Sequence, residues 1–302
     1  MHSKYFKMVE EATEGKYILD IEYYPVGTLF GGAEIYEGVV KGVVDAGCSI
    51  FSYTPGRFPV MQALSQGGIA PLVSADAGCR TAWEFYKKFK PKELDDVKVL
   101  YLICVPPGWL HSTTPIYKLE DIKNTDIRAT GASATAIKAL GANPTAMPQD
   151  EVYLSAQKGI IKASIAPLEV LTSWKQAEVF HYSTFIPFAY CEQFFVIMNR
   201  AKWDSLPKDL QKAFDDVAEK AVKEAGQIWQ ANEQMAMDWA KQQPEGHEYL
   251  YLSDEEAARW KELLKPIRDA YIADLNAKGF PGEDIVNGAS EIAEESNKLE
   301  YP

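Results

Sequence analysis

Asp126-Ile127-Arg128-Ala129-Thr130, followed directly by Gly131-Ala132-Ser133-Ala134-Thr135, is the stretch on which the fold of this chain turns. The first five residues alternate like a short strand, and the next five have the small side chains of a helix start. Ile127 and Ala129 then face one side of a sheet and Arg128 the other. A guanidinium is thereby delivered to the carboxyl end of a strand, beside the unpaired backbone N–H groups of a helix N-terminus. That arrangement suits an anion. The planar fork of Arg matches a carboxylate and the helix end adds partial positive charge, so a carboxylate is expected rather than a diffuse electrostatic partner. The alternative on local pattern is an ordinary surface Arg on an edge strand.

Upstream, Tyr5 to Thr13 has helical spacing and stops at Gly15, and Ile18 to Tyr24 alternates as a strand. A loop from Pro25 to Gly32 leads into a helix over Ala33 to Val44, with Ile35, Val39 and Val43 on one stripe. A strand over Cys48 to Tyr53 ends at the turn Thr54-Pro55-Gly56. This rhythm favours an α/β sheet covered by helices. The apolar run Val99 to Cys104 is broken by Val105-Pro106-Pro107-Gly108, where a second lobe opens.

Downstream of Arg128 the helix runs to Leu140 and stops at Gly141 in a left-handed cap. Pro148 to Lys158 reads as helix, Ile160 to Ile165 as strand, and Pro167 to Val179 as helix. Tyr182 to Met198, broken by Pro187, reads as two strand segments passing between lobes. From Ser205-Leu206-Pro207 a helix extends to about Gln242, roughly 54 Å and longer than one lobe. Ser205 is its expected cap, with Pro207 in the first turn. No bulky heptad seam along it demands a coiled coil. A strand follows over Glu248 to Leu252. Ser253-Asp254-Glu255-Glu256 is a capping-box start for a helix with Trp260, Leu263 and Leu264 inward. The acidic tail from Gly282 to Lys298 is expected to dock through Ile285 and Ile292.

With 302 residues, 47% of them hydrophobic, two lobes are the expected division. A net charge of −12 argues against nucleic acid or an anionic membrane surface as partner. No stretch approaches the roughly 20 apolar residues of a membrane span, so no membrane insertion is expected. Met1 to Phe6 lacks the apolar core of a signal peptide, which leaves either a cytosolic protein or an export signal outside this sequence. Cys48, Cys79, Cys104 and Cys191 form no Cys-x-x-Cys pair and have no His at ligand spacing, so no metal site is expected. Each reads as a disulfide partner or as a small buried apolar residue, and spacing does not decide which. No Gly-x-Ser-x-Gly or Walker-type loop is present, and His2, His111, His181 and His247 are scattered, so no enzyme and no cofactor are expected.

In order and spacing, a set of local motifs resembles the solute-binding proteins of tripartite ATP-independent periplasmic (TRAP) transporters, which include C4-dicarboxylate and sialic-acid binders. The matching stretches include Val9-Glu10-Glu11-Ala12-Thr13-Glu14-Gly15-Lys16, Leu119-Glu120-Asp121-Ile122-Lys123, Ile127-Arg128 and Ala139-Leu140-Gly141-Ala142-Asn143-Pro144. Met147-Pro148, Glu151-Val152-Tyr153, Ala156-Gln157-Lys158-Gly159 and Trp203-Asp204-Ser205-Leu206-Pro207 continue the set. They cover about the first two-thirds of the chain; each is weak alone and the ordered set is specific.

The resemblance implies an α/β, two-lobe periplasmic binding protein of type II-like architecture, with interlobe strands and a long helix spanning both lobes. One lobe is expected from 1–106 with 192–231, the other from 107–191 with 232–302. It further implies export to the periplasm, a small organic-acid ligand paired through Arg128, and delivery to the TRAP membrane permease. Gln149 opens a helix where the family places a pocket residue. The family commonly has Asn before the Pro that follows the Ile160 to Ile165 strand, where this chain has Ala166 before Pro167. Sugar-acid binders add a second Arg in the segment matching Gly108-Trp109-Leu110-His111, and acidic groups near Gly32 and Phe51. Those are missing here, and Trp109, Phe51, Tyr53, Tyr190 and Phe194 offer an aromatic wall instead. The expected ligand is therefore a carboxylate with an apolar or aromatic body, or a compact acid, rather than a sugar acid. The family also opens with a strand ahead of the helix near Ser3, and no such segment is found. A ligand sensor for a signalling kinase, or an α/β enzyme acting on an anionic substrate, are the competing readings.

Overall fold

The computed structural model describes residues 1–25, 27–105, 107–147 and 149–299. The expected lobe boundary at Pro106 and the expected helix start at Pro148 lie outside the described residues. The strands in chain order are β1 (Ala46–Ile50), β2 (Val97–Cys104), β3 (Trp109–Ser112), β4 (Asp126–Arg128), β5 (Asn143–Thr145), β6 (Ala163–Ala166), β7 (Tyr182–Phe185), β8 (Gln193–Asn199) and β9 (Glu248–Tyr251). The helices are α1 (His2–Ala12), α2 (Ile35–Val40), α3 (Ala75–Phe89), α4 (Gly131–Ala139), α5 (Val152–Gln157), α6 (Val170–Ser173), α7 (Arg200–Ser205), α8 (Lys208–Lys241), α9 (Asp254–Ala277) and α10 (Gly282–Lys298).

Two sheets result. The first has the order β1-β8-β2 and is antiparallel. β2 is apolar and buried along nearly its whole length, as a strand covered on both faces must be. The second has the order β5-β4-β6-β3-β7-β9. In it β4 runs parallel to β5 and β6, while β3 is antiparallel to β6 and β7. Each sheet has its own hydrophobic core. One gathers Tyr36, Phe58, Tyr101 and Phe195; the other gathers Leu110, Ile127, Ile165, Trp260 and Leu264.

The two lobes are tied by the elements expected to tie them. β7 lies in the second sheet and β8 in the first, so Tyr182 to Met198 crosses between lobes, and the backbone leaves strand geometry around Pro187. On α8, Leu210 to Ala225 pack on the first core, whereas Ala236 and Ala240 join Trp109, Leu168 and Leu171. Gly226 makes the α8–α3 approach possible, because a Cβ there would lie 2.7 Å from Asp76 Cα. Gly141 adopts φ +88°, and Ser253 Oγ accepts from Glu256 N at 3.2 Å, both as the sequence indicates.

Several expectations are corrected. Ile18 to Tyr24 is not in a ladder among the described residues; Ile18 is 89% exposed. Its alternation supplies one strand's pattern, but a strand needs a partner for its backbone groups. The helix expected over Ala33 to Val44 contracts to α2, with the chain turning at Gly42 (φ +70°). The strand expected over Cys48 to Tyr53 ends at Ile50, and Phe51–Tyr53 is a 3-10 turn. Pro167 to Val179 is split into α6 and a 3-10 turn (Gln176–Glu178) by left-handed Lys175. Ser205 does not cap the long helix: its hydroxyl donates to the Lys202 carbonyl and closes α7, and Pro207 is the N-cap of α8. Leu263 is partly exposed on α9 rather than inward. α10, expected with the second lobe, packs Ile285, Val286, Ala289 and Ile292 into the first core. The cysteines, left open by their spacing, are free thiols, with Cys79, Cys104 and Cys191 buried and Cys48 partly so. No helix among the described residues is long and apolar enough to cross a membrane.

Candidate functional site

Arg128 is the last residue of β4, held between Thr145 of β5 and Ser164 of β6. It is 4% exposed. Its Nε donates to the Met147 carbonyl at 3.2 Å, and this is the one hydrogen bond of the guanidinium among the described residues. Burial lowers its pKa, opposed by electrostatic coupling to Tyr190, Tyr53 and Glu192. A covered cation whose two terminal nitrogens lack protein acceptors is costly unless an anion completes it.

In-register pairing puts Arg128, Ser164, His111, Ser183 and Tyr249 on one face of the second sheet. Ser164 Oγ, fully buried beside Arg128, has no hydrogen-bond partner among the described residues, and neither has Gln149 Nε2. Further along the row, His111 Nδ1 and Ser183 Oγ are 2.7 Å apart, and so are Ser183 Oγ and His247 Nε2; His111 Nε2 lies 3.2 Å from the Pro167 carbonyl. A carbonyl only accepts, so His111 Nε2 donates to Pro167, Ser183 donates to His111 Nδ1, and His247 donates to Ser183. Burial pushes His111 down to about 3 and His247 to about 4, so both rings are neutral. This relay fixes the turn Ala166-Pro167 at the carboxyl end of β6, one strand from Arg128.

The opposing wall comes from the first lobe. After β1 the 3-10 turn presents Ser52 and Tyr53. Ser52 Oγ donates to Glu192 Oε2 at 2.6 Å. Glu192 is 2% exposed, and burial pushes its carboxyl up to about 7, with the Ser52 bond and the charge of Arg128 acting against that rise. Tyr190 is raised well above its ordinary value by burial and then by Glu192. The walls meet where α4 begins. Gly131 adopts φ +51°, and a Cβ there would lie 2.6 Å from Ser52 Cβ, so only glycine lets the two lobes approach this closely.

Of the residues expected at the site, Arg128, Tyr53 and Tyr190 stand within electrostatic reach of one another. Gln149 begins the turn two residues beyond Met147, and Ala166 is buried at the end of β6. Trp109 is paired with Ala166 in the sheet and lies against Phe185, Tyr249 and Tyr251 at ring separations of 4.8, 5.7 and 5.8 Å. Phe194 sits where the two cores meet, near Trp229. Phe51 is corrected: its ring is fully buried in the first core against Phe58 and Phe195, at 5.0 and 5.2 Å, because the turn after Ile50 sends it inward. Sequence reasoning passed over Ser52, Ser164 and Glu192. The signal for Glu192 was present, as a lone carboxylate inside the apolar run Tyr182 to Met198.

Known proteins resemble the chain in sequence and in fold. The family described as "Bacterial extracellular solute-binding protein, family 7" (DctP) matches residues 2–274. The 2,3-diketo-L-gulonate-binding periplasmic protein YiaO of Escherichia coli is 26% identical over 301 residues, covering 96% of this chain and 86% of that protein. A TRAP solute-binding protein of Rhodoferax ferrireducens, solved with copurified benzoate, is 26% identical with a TM-score of 0.89, covering 99% of this chain and 93% of the other. A marine-metagenome TRAP solute-binding protein specific for aromatic acid ligands, solved with 3-hydroxybenzoate, is 27% identical with a TM-score of 0.89, covering 98% and 93%. The chain therefore belongs to the family 7 extracellular solute-binding proteins, the TRAP-transporter binding proteins of two-lobe α/β fold, and is a binding protein rather than an enzyme.

Proposed function

We propose that this protein captures a small organic acid in the periplasm through an Arg128–carboxylate pair and delivers it to a TRAP membrane permease. The ligand is a carboxylate with an apolar or aromatic body. One observation carries the reading: a nearly fully covered guanidinium whose terminal nitrogens have no protein acceptor among the described residues. Two charge-assisted hydrogen bonds at roughly 1.5 to 3 kcal/mol each supply a large part of the about 8 kcal/mol of micromolar binding. Benzoate and 3-hydroxybenzoate in the two solved relatives support the same ligand class. Gln149, Tyr53, Tyr190 and Ala166 surround the ligand body, with Trp109 and Phe194 at its edges. Lobe closure on the ligand shifts an open–closed equilibrium. The lobes divide as sheet one with α10, and sheet two with the C-terminal end of α8 and the first half of α9.

The test is Arg128→Ala, titrated calorimetrically with benzoate and 3-hydroxybenzoate. Affinity falls by about 100-fold, as loss of two charged hydrogen bonds requires. The melting temperature without ligand stays within a few degrees, since removing an unpaired buried charge relieves a penalty. Unchanged affinity refutes the anchor.

A further inference from the structure

We propose that Glu192 is a specificity-determining residue of this cleft, one that favours a monocarboxylate bearing a hydrogen-bond donor on its body and excludes a dicarboxylate. The inference rests on Arg128 as the carboxylate anchor and goes on to say what the far end of the ligand meets.

Glu192 belongs to the crossover between β7 and β8, two residues after Tyr190, and its carboxyl is covered by protein. Oε2 accepts from Ser52 Oγ, and Oε1 carries no hydrogen bond among the described residues. Ser52 in turn lies against Gly131, three residues beyond Arg128, so the carboxyl that Ser52 holds is near the end of β4 from which the guanidinium projects. The two charges act on each other, yet no ion pair within 4 Å joins them among the described residues. A separation therefore remains between anchor and carboxyl.

Three consequences follow from charge and hydrogen-bond capacity. Arg128 is the only cation acting on Glu192 among the described groups; the other titratable groups coupled to this wall, Tyr53, Tyr190, Cys191 and, through Tyr53, Asp150, contribute no positive charge. One ligand carboxylate neutralises that cation. A second, directed at Glu192, has no cation to meet and, wherever Glu192 is ionised, faces a like charge in a covered site. A hydroxyl at the same place donates to the open oxygen, which accepts whether or not the carboxyl holds a proton.

Two matched sets of probes test this by calorimetry at pH 9, about two units above the value of Glu192, where its carboxyl is ionised. The first is benzoate, 3-hydroxybenzoate and benzene-1,3-dicarboxylate; the second is butanoate, 4-hydroxybutanoate and succinate. In at least one set the unaltered protein binds the hydroxy acid about tenfold tighter than the plain acid, and the dicarboxylate about 100-fold weaker than the hydroxy acid. Glu192→Gln, isosteric and uncharged, narrows the gap to the dicarboxylate to about tenfold or less. Equal binding of hydroxy acid and dicarboxylate by the unaltered protein overturns the proposal without any variant, as does failure to bind all six probes. A Gln variant that folds and keeps the full discrimination overturns it too. Arg128→Ala separates the two readings. If it abolishes binding while Glu192→Gln changes no ratio, the selectivity role alone falls; if it leaves binding intact, the anchor falls as well.

Discussion

Replacing Glu192 by Gln should stabilise the protein at alkaline pH and leave it nearly unchanged at acid pH. The carboxyl is raised from 4.5 to about 7 in the folded state, chiefly by burial. A raised acid holds its proton in the folded protein where the unfolded chain has released it. The stability this confers is complete below about pH 4.5, declines as the pH climbs, and is gone once the pH has passed about 7. At about 1.4 kcal/mol for each tenfold, the loss attributable to Glu192 between pH 4.5 and pH 8 is about 3 kcal/mol. Gln imitates the protonated acid, keeping an oxygen for the Ser52 hydroxyl, and cannot ionise. Glu93 and Glu233 are also pushed up to about 7, so the unaltered protein alone loses stability for three reasons. The difference between variant and unaltered protein isolates Glu192. Urea unfolding at pH 4.5 and pH 8 measures it: the gap should be near zero at the lower pH and about 3 kcal/mol in favour of the variant at the higher. An equal gap at both pH values refutes the burial argument.

Two further outcomes follow from backbone geometry. Gly131→Ala combines a left-handed φ of +51° with a Cβ driven into Ser52, so it should cost about 1 to 2 kcal/mol and weaken ligand-driven closure. An unchanged thermal midpoint would show that the lobes do not meet there. Ser253→Ala removes the oxygen that accepts from Glu256 N at the start of α9 and should cost about 1 kcal/mol in urea unfolding, while Ser253→Asp restores it. A silent Ala variant would mean that water replaces the cap.

The strand-to-helix junction at Arg128, the crossover through Tyr182 to Met198, the long helix and the Ser253 cap were legible because each is set by signals within a few residues. Alternation, a cap hydroxyl or a proline acts on its own neighbours. Even so, local alternation misled at Ile18 to Tyr24, since hydrogen bonds to a second strand complete a strand and those residues have none among the described residues. Phe51 and Tyr53 read alike as candidate wall residues; the turn after Ile50 buries the first in the core and leaves the second beside Arg128. Glu192 is the clearest case. In sequence it is one acid in an apolar run, whereas in the fold it meets Ser52 from 140 positions away and a guanidinium from the other lobe. The sequence by itself determined where the cation stands and which elements join the lobes. What faces that cation was decided by tertiary structure alone, because burial and charge coupling belong to the space between segments that no local pattern records.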